Sequence, residues 1–165
     1  MILYVHYQKE CRTDADQLIR QLPMLFPGIQ PVMGKEFALP DEACDPSRFQ
    51  YDAAWLLRRL SDQECSLWIV KEDLYYPGFR FLYGAALKGK AVVSTFRPDT
   101  SEGFLKEAAH ELGHALGLSH CKNKCIMHPS ASEVALEQKP LCFCPACQMQ
   151  LKRKMKKLEF GGFLK

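Results

Sequence analysis

The stretch whose reading decides the fold is His110-Glu111-Leu112-Gly113-His114-Ala115-Leu116-Gly117-Leu118-Ser119-His120. Wound at about 100° per residue, it and its lead-in separate into two faces. Phe104, Leu105, Ala108, Ala109, Leu112, Ala115 and Leu116 fall within an arc of about 140°, a stripe for a core. Lys106, Glu107, His110 and His114 lie opposite, with Glu111 at the border. Histidines four apart on a helix project side by side, about 6 Å apart along the axis, a spacing that lets two imidazoles grip one tetrahedral ion. Gly117 ends the helix, because glycine reaches the left-handed backbone that other residues avoid. The chain then turns back and brings His120 as a third nitrogen ligand, while Glu111 is placed to polarise a metal-bound water. A lone His-Glu-x-x-His arises by chance on many exposed helices. The added glycine and third histidine at fixed offsets set this one apart.

Outward from that helix, the 165 residues suit one compact domain, with 1–117 as an N-terminal lobe and 118–165 as a smaller C-terminal one. The active-site helix is expected over about 100–116. Composition is ordinary for a soluble globular protein, 47% hydrophobic and 25% charged, and a net charge of +3 is too small to argue for nucleic acid. No segment approaches the 18 or so apolar residues of a membrane span. Met1 to His6 lacks the basic and apolar regions of a signal peptide, so a cytoplasmic home is expected.

Ile2 to Tyr7 reads as a first strand, and Arg12 to Leu22 as a helix capped by Thr13 or Asp14 and stopped before Pro23. A short strand is expected near Gln30 to Met33, and a helix over Phe49 to Leu60 with Ser47 near its start. Leu67 to Val70 is an apolar run of the kind buried on both faces of a sheet. Phe79 to Leu87 and Ala91 to Phe96, joined by Lys88-Gly89-Lys90, predict two paired strands. Phe79 to Leu87 is expected to offer the exposed edge where a peptide aligns. Asp99 and Glu102 predict a capping box for the histidine helix. Strands alternating with helices give an α/β or α+β core with a mixed sheet. Leu151, Met155 and Leu158 form an apolar stripe amid Lys152, Arg153, Lys154, Lys156 and Lys157, read as a solvated basic face over a packed stripe.

Eight cysteines are many for such a chain, and clustered cysteines in a reducing compartment more often bind metal than pair. Cys121 and Cys125 with Cys144 and Cys147 match a closed, structural zinc site of four thiolates, redox-active or unpaired thiols being the other reading. Cys142 could stand in for Cys144, and spacing alone leaves that open. Cys11, Cys44 and Cys65 are expected as small buried hydrophobes.

These residues resemble the archaemetzincins, a branch of the metzincin metallopeptidases. His110 to His120 matches the metzincin signature at every fixed position. Cys121, then Cys125-Ile126-Met127, then Cys144 to Cys147 follow the archaemetzincin extension of it. Residues 72–75 and 81–85 also look like the family's strand region. Two departures fall in loops: three residues rather than four separate Cys121 from Cys125, and the gap from Met127 to Cys144 is one residue short. The resemblance implies a metzincin-like fold and two zinc ions, one catalytic on His110, His114 and His120, one structural. It implies Glu111 as general base and then acid, and Met127 as the Met-turn, an apolar floor beneath the histidines. His128 is read as a turn residue. The implied activity is peptide-bond hydrolysis by a zinc-bound water, with a peptide or protein as substrate. The alternative is a non-catalytic zinc-binding protein that uses the same cleft to hold a peptide partner. Substrate identity and oligomeric state are not written in the sequence.

Overall fold

The structure, a computed structural model, describes the backbone of residues 1–161 and the side chains of 1–157. Strand β1 (Ile2–Tyr7) leads through a single 3-10 turn into helix α1 (Arg12–Leu25). Thr13 and Asp14, expected as caps, lie inside the first turn of α1, and Cys11 opens the helix without a side-chain cap. Pro23 does not stop it. The proline sits in the last turn, where Phe26 N–H still reaches Leu22 O at 2.9 Å and the Phe26 ring is wholly buried. Strand β2 (Gln30–Glu36) runs parallel to β1.

Strands β3 (Cys44–Asp45) and β4 (Gln50–Asp52) then precede α2 (Ala53–Arg59). The helix expected from Phe49 starts four residues late because Phe49 takes a left-handed backbone, φ +52°. Asp52 supplies the cap, accepting from Ala54 N–H at 2.8 Å and Trp55 N–H at 3.2 Å. Strand β5 (Cys65–Val70) is buried along its whole length, as its apolar run requires. Short β6 (Leu74–Tyr75) pairs with β4, and β7 (Gly84–Leu87) forms an antiparallel pair with β8 (Lys90–Ser94).

The main sheet has the order β2-β1-β5-β8-β7, parallel except for β7 at its edge. Its two faces bury separate cores. Leu67, Ile69, Ala91 and Val93 point to the side of α1 and the histidine helix α3 (Ser101–Ala115). Trp68, Val70 and Val92 point to the side of Leu56 and Leu57 of α2. The period-two alternation of β5 and β8 thus serves two helical layers at once.

Residues 79–83 leave the strand that was expected to begin at Phe79. Arg48 Nη2 donates to Phe79 O at 3.0 Å and Arg80 O at 2.7 Å, and Gln50 Nε2 donates to Arg80 O at 3.0 Å. Those carbonyls are therefore taken by side chains rather than by a neighbouring strand. The edge that remains regular is Gly84–Leu87.

Helix α3 is capped by Thr100, whose Oγ1 accepts from Gly103 N–H at 2.9 Å, and not by the Asp99–Glu102 box. Gly117 takes φ +91° just past its end. Beyond it come a short helix missed in the sequence, α4 (Glu133–Gln138), and α5 (Pro145–Gly161). Leu151 and Met155 of α5 are buried as its stripe predicted, while the Leu158 side chain lies outside the described residues. No helix among the described residues is long and apolar enough to cross a membrane.

Candidate active site and metal centres

His110 and His114 share one face of α3 because they are one turn apart, and Gly117 returns the chain so that His120 meets them. The ring centroids lie 4.6, 4.7 and 5.3 Å apart, and one nitrogen from each ring falls within 4.8 Å of the others. His110 Nδ1 stands 2.9 Å from Ile126 O, and His114 Nδ1 2.9 Å from Leu118 O. A carbonyl oxygen only accepts, so both Nδ1 atoms carry the proton and both Nε2 atoms are bare. These bare nitrogens face each other at 3.0 Å. Two neutral imidazoles do not hold lone pairs together at that distance without a cation. A tetrahedral zinc ion with bonds of about 2.05 Å would set its nitrogen ligands about 3.4 Å apart, close to what is seen. Burial, with Lys139 nearby, pulls the His110 pKa down to about 3, and burial lowers that of His114 as well, so both rings stay neutral and ready to ligate.

Met127 is fully buried against the histidine helix. A β-carbon at Gly113 would overlap its Sδ, so the glycine lets the thioether seat against the helix. Ile126, the preceding residue, provides the carbonyl that orients His110. His128 donates from Nδ1 to Cys121 O at 3.0 Å and is a turn residue, as expected.

Glu111 points into a cleft of about 420 Å³ walled by Phe79, Phe81, Tyr83, His110, His120 and Pro129. Gly84 of β7 packs against it; a β-carbon there would sit 2.7 Å from Glu111 Cγ. Burial, and then the Glu107 carboxyl hydrogen-bonded to it, push the Glu111 pKa well above the usual carboxylate range. Burial raises Glu107 too, against the pull of Lys139. Lys139 Nζ is buried 3.6 Å from Glu107 Oε2 and donates to His128 O at 3.3 Å. Glu107 and Lys139 are the residues the sequence reading missed. The face of α3 opposite the core was expected to be polar, yet Lys106 and Glu107 are buried beneath α4 and the chain after it.

The thiols of Cys121, Cys125, Cys144 and Cys147 also come within 4.8 Å of one another. Cys121 Sγ and Cys144 Sγ are 3.8 Å apart, and Cys144 N–H donates to Cys125 Sγ at 3.3 Å. Cys142 is exposed and is not in this group. The Cys144 pKa falls to about 6, chiefly through a hydrogen bond from the Cys147 backbone N–H at the start of α5. Of the scattered cysteines, Cys11 and Cys65 are buried as expected and Cys44 is half-exposed.

The model of peptidase family M54 matches residues 16–153. The chain belongs to that family. An archaemetzincin of Archaeoglobus fulgidus is 39% identical over 114 residues, covering 64% of this chain and 71% of its own length. One of Methanopyrus kandleri is 38% identical over 139 residues, covering 76% and 79%. The solved structure of the Archaeoglobus fulgidus archaemetzincin, complexed with malonate, superposes with a TM-score of 0.85 at 32% identity, over 91% of this chain and 99% of that one. The Methanopyrus kandleri structure gives 0.83 at 30% identity, over 94% and 96%. Membership makes the chain a zinc metallopeptidase with a metzincin-like fold, in agreement with the archaemetzincin resemblance of its motifs.

Proposed function

We propose that the chain hydrolyses peptide bonds at His110, His114 and His120, with Glu111 as proton carrier and a second zinc ion held by Cys121, Cys125, Cys144 and Cys147. The observation that carries this reading is the pair of bare Nε2 atoms facing each other at 3.0 Å beside a carboxyl that opens on a cleft. A zinc ion bound there supplies the Lewis acidity that acidifies water and polarises a carbonyl, and a positive charge that favours ionised Glu111. Glu111 takes the proton from the water that attacks the scissile carbonyl carbon. It then gives that proton to the amine nitrogen as the C–N bond breaks. Ile126 and Leu118 hold the two helix imidazoles in register through their carbonyls, so neither ring reorients during turnover. Met127 floors the site. In this reading 1–117 and 118–165 are the two walls of a single catalytic unit, and four cysteines on zinc with four left as thiols suit a reducing, cytoplasmic setting.

Glu111→Gln tests it. The variant should keep two zinc ions per chain by mass spectrometry and lose at least about a thousandfold in peptide hydrolysis, since it retains the shape and loses the base. A zinc-loaded wild-type protein that cuts no member of a broad peptide library would return the site to a non-catalytic zinc binder.

A further inference from the structure

A second depression opens beside the C-terminal end of the histidine helix. It holds about 390 Å³ and is lined by His114, Gly117, Lys88, Lys154 and Lys157 among others. His110 and His120 line the first cleft, and His114, one turn on from His110, lines the second. Their chemistry differs. The first carries Glu107, Glu111 and aromatic walls; among the described residues the second is lined by lysines and His114 with no carboxylate.

Strand β7 joins them. Gly84 at its start packs on Glu111 and lines the first cleft, and Lys88, the residue after its end, lines the second. Four residues of strand span about 13 Å. β7 is the last strand of its sheet among the described residues, so its outer edge can take an extended peptide by main-chain hydrogen bonds. A peptide laid there with its scissile bond at the histidines carries a side chain into the second depression three or four residues further on.

The charge of that depression is not visible in the modest total of +3. Residues 139–157 hold Lys139, Lys152, Arg153, Lys154, Lys156 and Lys157 and no acidic residue. Lys139 turns inward, and the rest stay exposed along α5. Buried Leu151 and Met155 fix the roll of the helix, and Lys154 and Lys157, one turn apart, come out on the same flank. The absence of a side chain at Gly117 lets Lys154 close over the end of α3; a β-carbon there would lie 3.3 Å from Lys154 Nζ.

We infer that this basic depression is a subsite of the peptidase cleft that selects an acidic side chain, three or four residues from the bond cut and on one side of it only. The inference rests on the peptidase reading and names the substrate class that goes with it.

The test uses the zinc-loaded full chain and a panel of fluorescein-labelled decapeptides. Each carries a Glu-Glu, Gln-Gln or Lys-Lys pair at one position, moved along the peptide. Cleavage is read by mass spectrometry. Binding of the same peptides to zinc-loaded Glu111→Gln is read by fluorescence anisotropy. The expected kcat/KM for Glu-Glu exceeds that for Gln-Gln about tenfold at low salt, in one half of the peptide only, and the preference shrinks below about twofold at 0.5 M salt because the lysines are exposed. K154E/K157E should reverse the ranking in favour of Lys-Lys. Equal rates across the panel, or a preference that the double variant retains, overturn the subsite. If no peptide is cut, the peptidase reading falls, and anisotropy still decides the subsite. Tighter Glu-Glu binding that is lost when K154E/K157E is added supports it; equal binding refutes it.

Discussion

The histidine centre and the cysteine centre gather their ligands in opposite ways. Two of the three histidines stand on one helix, and each has its Nδ1 proton tied to a backbone carbonyl 2.9 Å away. The four cysteines come from the irregular chain after Gly117 and from the start of α5, and several of their close contacts are with one another. The fold places the histidines, whereas in the proposed reading a metal ion at the cysteines places the chain around it. A catalytic centre gains from ligands held before the metal arrives, because the geometry then survives turnover. A structural centre turns its binding energy into folding of the chain around it.

Cys147→Ser against His120→Ala tests that difference most severely. A structural zinc site is worth about 10–16 kcal/mol, comparable to the whole stability of a domain. Each variant should lose one zinc ion per chain. Only Cys147→Ser should also lose hydrogen-exchange protection across the chain after Gly117 and most of its thermal transition. Equal loss of stability in the two variants would erase the contrast.

A smaller effect probes what supports the histidine side. Lys139 is the counter-charge of a buried carboxyl pair, and removing one partner of such a set costs about 3–5 kcal/mol. Lys139→Met should lower the thermal midpoint by about 10 °C in a chain of this size. Adding Glu107→Gln removes the charge left bare and should recover most of the loss, a non-additivity readable in a double-mutant cycle.

The same contrast explains what was legible in the sequence. The histidine centre is local: a helical period, a glycine and fixed offsets put His110, Glu111, His114 and His120 together on paper as they are in space. Strand β5 was equally plain, because an uninterrupted apolar run buries on both faces of a sheet. Spacing could not separate Cys142 from Cys144, since the two differ only in which way the chain turns before Pro145. The late start of α2 depends on one left-handed residue, Phe49. The loss of strand at 79–83 depends on Arg48 and Gln50, which come close only through the fold. Lys139 gave no signal at all. Its partner Glu107 looked like solvent-facing helix until α4 and the residues after it covered that face.

The last and smallest effect turns on the sign of a proton. Mild chelation that empties the histidine centre and spares the closed cysteine centre leaves Glu111 without a dication. Its pKa is then raised by burial and by Glu107, while the unfolded chain titrates near the ordinary glutamate value of 4.5. Below that pH both states hold the proton and Glu111 contributes nothing. Above it the unfolded chain releases its proton and the folded one keeps it, so the fold loses stability as pH rises towards the raised pKa, by up to about 1.4 kcal/mol per pH unit. Glutamine has no proton to lose. The stability of Glu111→Gln minus that of wild type, by urea unfolding of the partly stripped proteins, should therefore climb as the pH rises above the ordinary glutamate value. Within the cysteine centre the shifts divide: Cys144 is drawn down towards its thiolate, while burial holds Cys125 and Cys147 up. A flat difference for Glu111→Gln would mean that the empty histidine centre accommodates a carboxylate as readily as water does, and its electrostatics would no longer set it apart from the thiols.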